Sequence, residues 1–343
     1  MARRMLSLLL MVASASAGGV GGCASQGPAA SPSMASSAPV AEGAAAPFSV
    51  VASEWTYEAV PGKVLMTANY RIRTTVTRDA LLERLPRLME AALVNYRSAI
   101  TALPAPGEPL ESFVFSNRPQ WERMTQRFMG EEAPVYLQIV RGGYTARGRS
   151  VLFDIGMRDT LAIAAHEGWH QYSQTVFREQ LPTAFEEGLA TYMEGFRLTG
   201  ENRDQFTFRA WANPERFFTL RRAAERGRLM ALPRLLRSTP QELMGGDESE
   251  ALTYYAQVWA LVHFLCEGDG GVYRPALAGM LADAAAGKLA RARRGGRRAE
   301  DLLEGYTGRS VADLDGPFQE FVKRITRVGS GERVMRGESP LAD

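Results

Sequence analysis

Near residue 158 this 343-residue chain changes from one kind of sequence to another. Before that point, β-branched and aromatic residues recur in short runs between turn residues. After it, apolar residues recur at helical spacing and the strand pattern almost vanishes. Residues 63–75 read as a strand, 78–100 as a helix kinked or restarted at Pro86, 111–116 as a strand and 118–129 as a helix. Residues 135–140 and 151–154 flank the Gly-rich segment RGGYTARGRS and read as a β-hairpin. Helices are predicted over 159–178, 182–197, 230–237, 249–267, 272–286 and 311–325. Strands first and helices later predict an α+β fold. Its β-rich lobe covers about 48–158 and its mainly helical lobe about 159–328. The polar segment 329–343 is expected to be a loose tail.

Composition narrows the function. The chain is 45% hydrophobic and 23% charged, which excludes a disordered or fibrous protein. The 40 basic residues, less Arg3 and Arg4 of a segment expected to be removed, balance 38 acidic ones, which argues against nucleic acid as the partner. Two cysteines exclude a disulfide scaffold. Residues 1–22 place two arginines before an apolar stretch that ends in small residues, the pattern of a secretory signal. The run Val20-Gly21-Gly22-Cys23 resembles the lipobox of bacterial lipoproteins. The resemblance implies cleavage before Cys23, lipidation of its thiol, and attachment to a membrane of the cell envelope, periplasm-facing and at the outer rather than the inner membrane. Residues 23–47, rich in Ala, Ser, Pro and Gly, read as a flexible linker.

The chain has only three histidines, and two of them lie four residues apart in His166-Glu167-Gly168-Trp169-His170. At that spacing both imidazoles share one face of a helix and reach one ion, while Glu167 lies beside it as a general base. Asp159 or Thr160 is the expected N-cap. A zinc site needs a third protein ligand and an open position for water. In LPTAFEEGLATYMEG, Pro182 starts a helix and Thr183 with Glu186 fits a capping box. Glu187 is thus the best third ligand, with Glu186 and Glu194 as competitors. Gly188 is expected to let its helix approach the motif helix closely.

H-E-x-x-H followed by Pro182, Glu187, Gly188, Ala190 and Tyr192 resembles the gluzincin (peptidase MA) group of zinc metallopeptidases. The wider stretch is similar to a family of bacterial lipoproteins whose gluzincin-like domain has no known function. The resemblance implies a zincin-like fold with the active-site helix between its lobes. It also implies Zn²⁺ held by His166, His170 and Glu187, and a peptide or protein substrate. From the later helix TYYAQVWALVHFLC it implies an oxyanion donor at Tyr255, with Tyr254 and His263 as alternatives. An edge strand, 135–140 or 150–154, is expected to border the cleft, and Asp154 to orient a ligand histidine. Cys266 is expected to be a small buried hydrophobe.

The function that follows is a lipid-anchored zinc metallopeptidase. Two readings stand beside it: an envelope lipoprotein with a structural or vestigial zinc site acting in binding or scaffolding, and hydrolysis of a non-peptide amide. The basic run Arg291, Arg293, Arg294, Arg297 and Arg298 reads as a solvated loop, with anionic lipid headgroups as its alternative contact.

Overall fold

The computed structural model describes residues 48–200, 205–244, 248–289 and 298–341. The expected signal 1–22, Cys23, the linker to residue 47, and Arg291, Arg293, Arg294 and Arg297 lie outside the described residues. No described helix is long and apolar enough to cross a membrane.

The fold is α+β, with a six-stranded sheet followed by helices. The sheet holds β1 (Val51–Tyr57), β2 (Val60–Met66), β3 (Tyr70–Thr74), β4 (Leu110–Phe115), β5 (Gly143–Ala146) and β6 (Arg149–Phe153), in the order β1-β2-β3-β4-β6-β5. β3, β4 and β6 run parallel, and β5 returns antiparallel as an edge. Between the strands lie α1 (Asp79–Ser98), α2 (Arg118–Met129) and the short α3 (Ala133–Tyr136). Alternation along the strands sorts the two faces. Val114 and Leu152 point to the side of α1, whereas Phe113, Phe115, Val151 and Phe153 join Trp121 of α2 in a separate core.

The helical part contains α4 (Met157–Val176), α5 (Thr183–Met193), a hairpin of β7 (Phe196–Thr199) and β8 (Gln205–Phe208), then α6 (Pro214–Glu225), α7 (Leu232–Arg237), α8 (Pro240–Met244) and α9 (Glu248–Glu267). It ends with α10 (Arg274–Ala286), α11 (Ala299–Thr307), α12 (Val311–Ile325) and α13 (Ser330–Arg336). From Tyr254 to Leu265, α9 is buried on every side, as an all-round apolar helix must be.

Four sequence expectations change. Residues 63–75 are two strands, because a turn at Thr67–Tyr70 closes with a 2.9 Å backbone bond and Glu90 holds Asn69. Pro86 sits buried inside a continuous α1, so no second helix starts there. Residues 135–140 are not a strand. Pro134 opens α3, and Arg118 donates to the carbonyls of Leu137, Ile139 and Val140 at 2.8–2.9 Å, the groups a strand partner would need. The hairpin pairs β5 with β6 instead, through Arg147 and Gly148 at φ 55° and 72°, the left-handed pair that a two-residue turn needs. The tail from residue 329 is ordered up to residue 341: α13 buries Val334, and Ser339 donates to Glu267 at 2.7 Å.

Gly188 serves a different neighbour from the one expected. A Cβ there would lie 2.8 Å from the Val258 carbonyl oxygen and 2.9 Å from Val262, so the glycine lets α5 approach α9. Gly188→Ala is expected to lower unfolding stability by about 1–3 kcal/mol, the usual cost of overpacking. Urea denaturation of the variant beside the parent checks this.

Candidate metal centre

Helix α4 begins at a fixed point. Asp154 accepts from the Gly156 amide at 2.9 Å and the Thr160 hydroxyl at 3.1 Å, and pairs with Arg78 at 2.8 Å. Gly156, at φ 109°, is the N-cap in place of Asp159 or Thr160, and Asp159 pairs with Arg141 at 3.0 Å. Asp154 therefore anchors the helix start and does not orient a histidine. From Thr160 to Ser173 nearly every residue of α4 is buried.

His166 and His170 present their Nε2 atoms to each other at 3.2 Å. Glu187, carried in by α5, places Oε2 3.5 Å from His166 Nε2 and 3.6 Å from His170 Nε2. Three donors each about 2.0–2.1 Å from a tetrahedral zinc lie about 3.3–3.4 Å apart. The observed triangle is thus the right size for one face of a zinc tetrahedron, and its two imidazoles and one carboxylate are the right chemistry. These three residues form the one possible metal-binding group among the described residues.

The competing carboxylates stand behind the two histidines. Glu194 Oε1 lies 2.7 Å from His166 Nδ1 and 3.0 Å from Arg216 Nη2. Its Oε2 accepts from Asn213 at 2.7 Å and from Arg216 Nε at 3.3 Å. Burial opposes the charge on Glu194, but Arg216 and His166 outweigh it and hold the carboxyl at a pKa of about 2. A carboxylate only accepts, so Nδ1 of His166 carries a hydrogen and Nε2 is the nitrogen left to ligate a metal. Glu186 does not cap α5, whose N-cap Pro182 makes no side-chain bond. It accepts instead from Trp169 Nε1 and the Ser173 hydroxyl, each at 3.1 Å, and lies 3.6 Å from His170 Nδ1.

Both carboxylate oxygens of Glu167 are buried without a hydrogen-bond partner. Burial raises its pKa, partly offset by His166 and His170. Its backbone carbonyl accepts from Thr145 of β5 at 2.9 Å, which ties the edge strand to α4. β5 is therefore the edge beside the motif. Residues 150–154 belong to β6 and its end, inside the sheet, and 135–140 lie elsewhere.

Tyr255 is buried with its ring 6.3 Å from that of His166 and 5.2 Å from the Arg216 guanidinium carbon. Burial and Glu187 raise its pKa. The Tyr254 hydroxyl is buried without a hydrogen-bond partner. His263 belongs to a separate cluster, with its ring 3.7 Å from Trp211 and 4.6 Å from Trp259, and Nδ1 3.3 Å from Glu267. The Cys266 thiol is buried and pushed up to about 11 by that burial.

Arg216 and Asn213 are the members of this cluster that the sequence does not reveal. The Asn213-Pro214 pair, an N-cap followed by Pro at the first helical position, was the available signal for α6. No known family matches this chain, and no curated protein does so either.

Glu194→Gln is expected to weaken zinc binding by about 10–100-fold, the usual cost of removing a carboxylate behind a ligand histidine. Competition against a chelating dye measures it. A second expectation concerns His263, whose pKa burial lowers despite Glu267. Below about pH 6.5 the unfolded chain protonates this histidine while the folded one resists. Its contribution is complete above that pH and is lost as pH falls, by up to about 1.4 kcal/mol per pH unit. Denaturation between pH 5 and 8 should show a shallower acid decline for His263→Gln than for the parent.

Proposed function

We propose that this chain is a zinc metallopeptidase of gluzincin type, anchored through Cys23 to a membrane of a bacterial cell envelope. The observation that carries the activity is the buried, unpartnered carboxylate of Glu167 beside a three-donor triangle of tetrahedral size. A purely structural site has no use for such a group, and leaving it unpaired in the interior is costly. The scaffold reading would gain from a fourth protein ligand at Glu194. That carboxylate is instead engaged by Arg216 and Asn213 on the far side of His166.

In this reading His166, His170 and Glu187 hold the ion. A bound zinc supplies a Lewis acid and makes water acidic enough to react near neutrality. Glu167 takes the proton from the attacking water and returns it to the leaving nitrogen, a role for which a raised pKa suits it. Glu194, fixed by Arg216, keeps His166 in the tautomer that can ligate. Tyr255, packed against His166, is assigned to the developing oxyanion, with Tyr254 next to it on α9.

The deciding experiment compares the parent with Glu167→Gln and His166→Ala for zinc content and for hydrolysis of a peptide library. Glu167→Gln is expected to keep about one zinc per chain and lose at least about a thousandfold in rate, combining loss of the base with loss of water activation. His166→Ala is expected to lose both metal and activity. Equal cleavage by Glu167→Gln and the parent would overturn the assignment.

A further inference from the structure

The most exposed large apolar residue among those described is Val328, at 89%. It stands at the apex of the turn between α12 and α13. The Ser330 amide donates to the Arg327 carbonyl at 3.2 Å, and Gly329, at φ 89° and ψ −24°, is the left-handed residue that a type II turn needs. Such a turn asks for no apolar side chain before the glycine, where Pro is the usual choice. Ile325 and Ser330 are buried on either side, and Arg327 donates to the Pro340 carbonyl at 3.5 Å. An ordered turn therefore holds Val328 out into solvent.

Positive charge surrounds this apex. Residues 323–336 carry Lys323, Arg324, Arg327, Arg333 and Arg336 against one acid, Glu332, in a chain whose charges otherwise nearly cancel. Lys323 pairs with Glu320 and Arg336 with Glu338, exposed pairs that hold their partners weakly. Helix α13 runs along α6 in the opposite sense. A Cβ on Gly331 would lie 3.3 Å from the Phe218 ring, and Val334 and Met335 share a cavity wall with Pro214 and Glu215. The apex thus lies toward the Arg222 end of α6, where Phe218 and Arg222 are exposed. Helix C-termini account for Lys323, Arg324, Arg333 and Arg336, which occupy last turns. They do not account for Val328.

We propose that this corner docks on a membrane: Val328 enters the headgroup boundary of an anionic phospholipid leaflet, and the cations around it meet lipid phosphates. An apolar tip within a cationic ring suits a surface that is anionic outside and apolar beneath. An acidic protein would match the charge and leave Val328 in water. The inference rests on the anchoring reading and deepens it. The expected linker, residues 23–47, reaches at most about 80–90 Å, so a lipid on Cys23 leaves every face able to meet the membrane. The corner selects one face, and the tether lets a weak contact suffice.

The test measures binding without the attached lipid. The chain from residue 23, carrying Cys23→Ser, is sedimented with vesicles of phosphatidylcholine alone or mixed equally with phosphatidylglycerol. Binding is expected to the mixed vesicles only, and is expected to fall in high salt. Arg324→Glu with Arg327→Glu should weaken it by about 25-fold or more, at about fivefold per cation lost. Val328→Ser should weaken it by about fivefold. Urea denaturation of each variant checks that the fold is kept. Equal binding to both vesicles, or binding to neither, would overturn the proposal. So would full binding by Val328→Ser where the arginine variant fails, which marks a general contact with polyanions such as an acidic protein. The anchoring reading is tested separately by the mass of Cys23 in protein taken from bacterial membranes. An unmodified thiol there would overturn lipidation and leave the vesicle result standing.

Discussion

An excess of buried negative charge governs the middle of this molecule. Glu167, Glu186, Glu187 and Glu194 gather around two imidazoles, and all are buried. Arg216 neutralises one carboxylate, the one behind His166. The remainder cannot stay charged in the interior without further positive charge. Without a cation the imidazoles must supply it. Burial alone would lower His170, yet Glu187 and Glu186 draw its pKa up to about 10. A divalent ion at the Nε2 atoms meets the same demand with two charges at one point. The donor triangle and the charge balance therefore call for the same occupant.

Close helix packing buries this cluster. Gly168, inside the motif, leaves room for the Tyr96 hydroxyl, which would lie 2.6 Å from a Cβ there and donates to the Ala165 carbonyl at 2.6 Å. Gly188, beside the third donor, does the same for the backbone of α9. In both places a missing side chain lets a neighbouring helix approach the helix that carries a member of the triangle. The apolar helix α9 then packs along α5 and α6.

What was legible in the sequence was local. A four-residue interval fixes two imidazoles on one helix face whatever surrounds them, and Pro182 marks where α5 begins. The roles of Glu186, Glu187 and Glu194 were less legible, because spacing places all three near the centre and only tertiary packing sorts them. Glu187 faces the triangle, while Glu186 and Glu194 back the two histidines. Arg216 and Asn213 arrive from the next helix, where nothing local says that they meet Glu194. The misread strand at 135–140 has a similar cause. Its apolar run suits strand or helix, and the deciding partner is Arg118, on a different element. The tail from residue 329 looks solvent-bound by composition, yet its order depends on Val334 and Ser339 finding α6 and α9.

The two lobes divide the work unequally. The carboxylates, imidazoles and guanidinium at the centre come from α4, from α5 and the residue after it, and from α6, with Tyr255 added by α9 and none from the sheet. The sheet contributes position: Thr145 on the β5 edge holds the carbonyl of Glu167, and Asp154, just beyond β6, holds the start of α4. A shift of α4 along its axis would break both contacts and move both histidines against Glu187, which is held by a different helix against α9. The sheet therefore fixes where the motif helix lies, and the helical lobe fixes what meets it. The donor triangle exists only where those two placements agree, so its distances report on how the whole fold is assembled as well as on the motif.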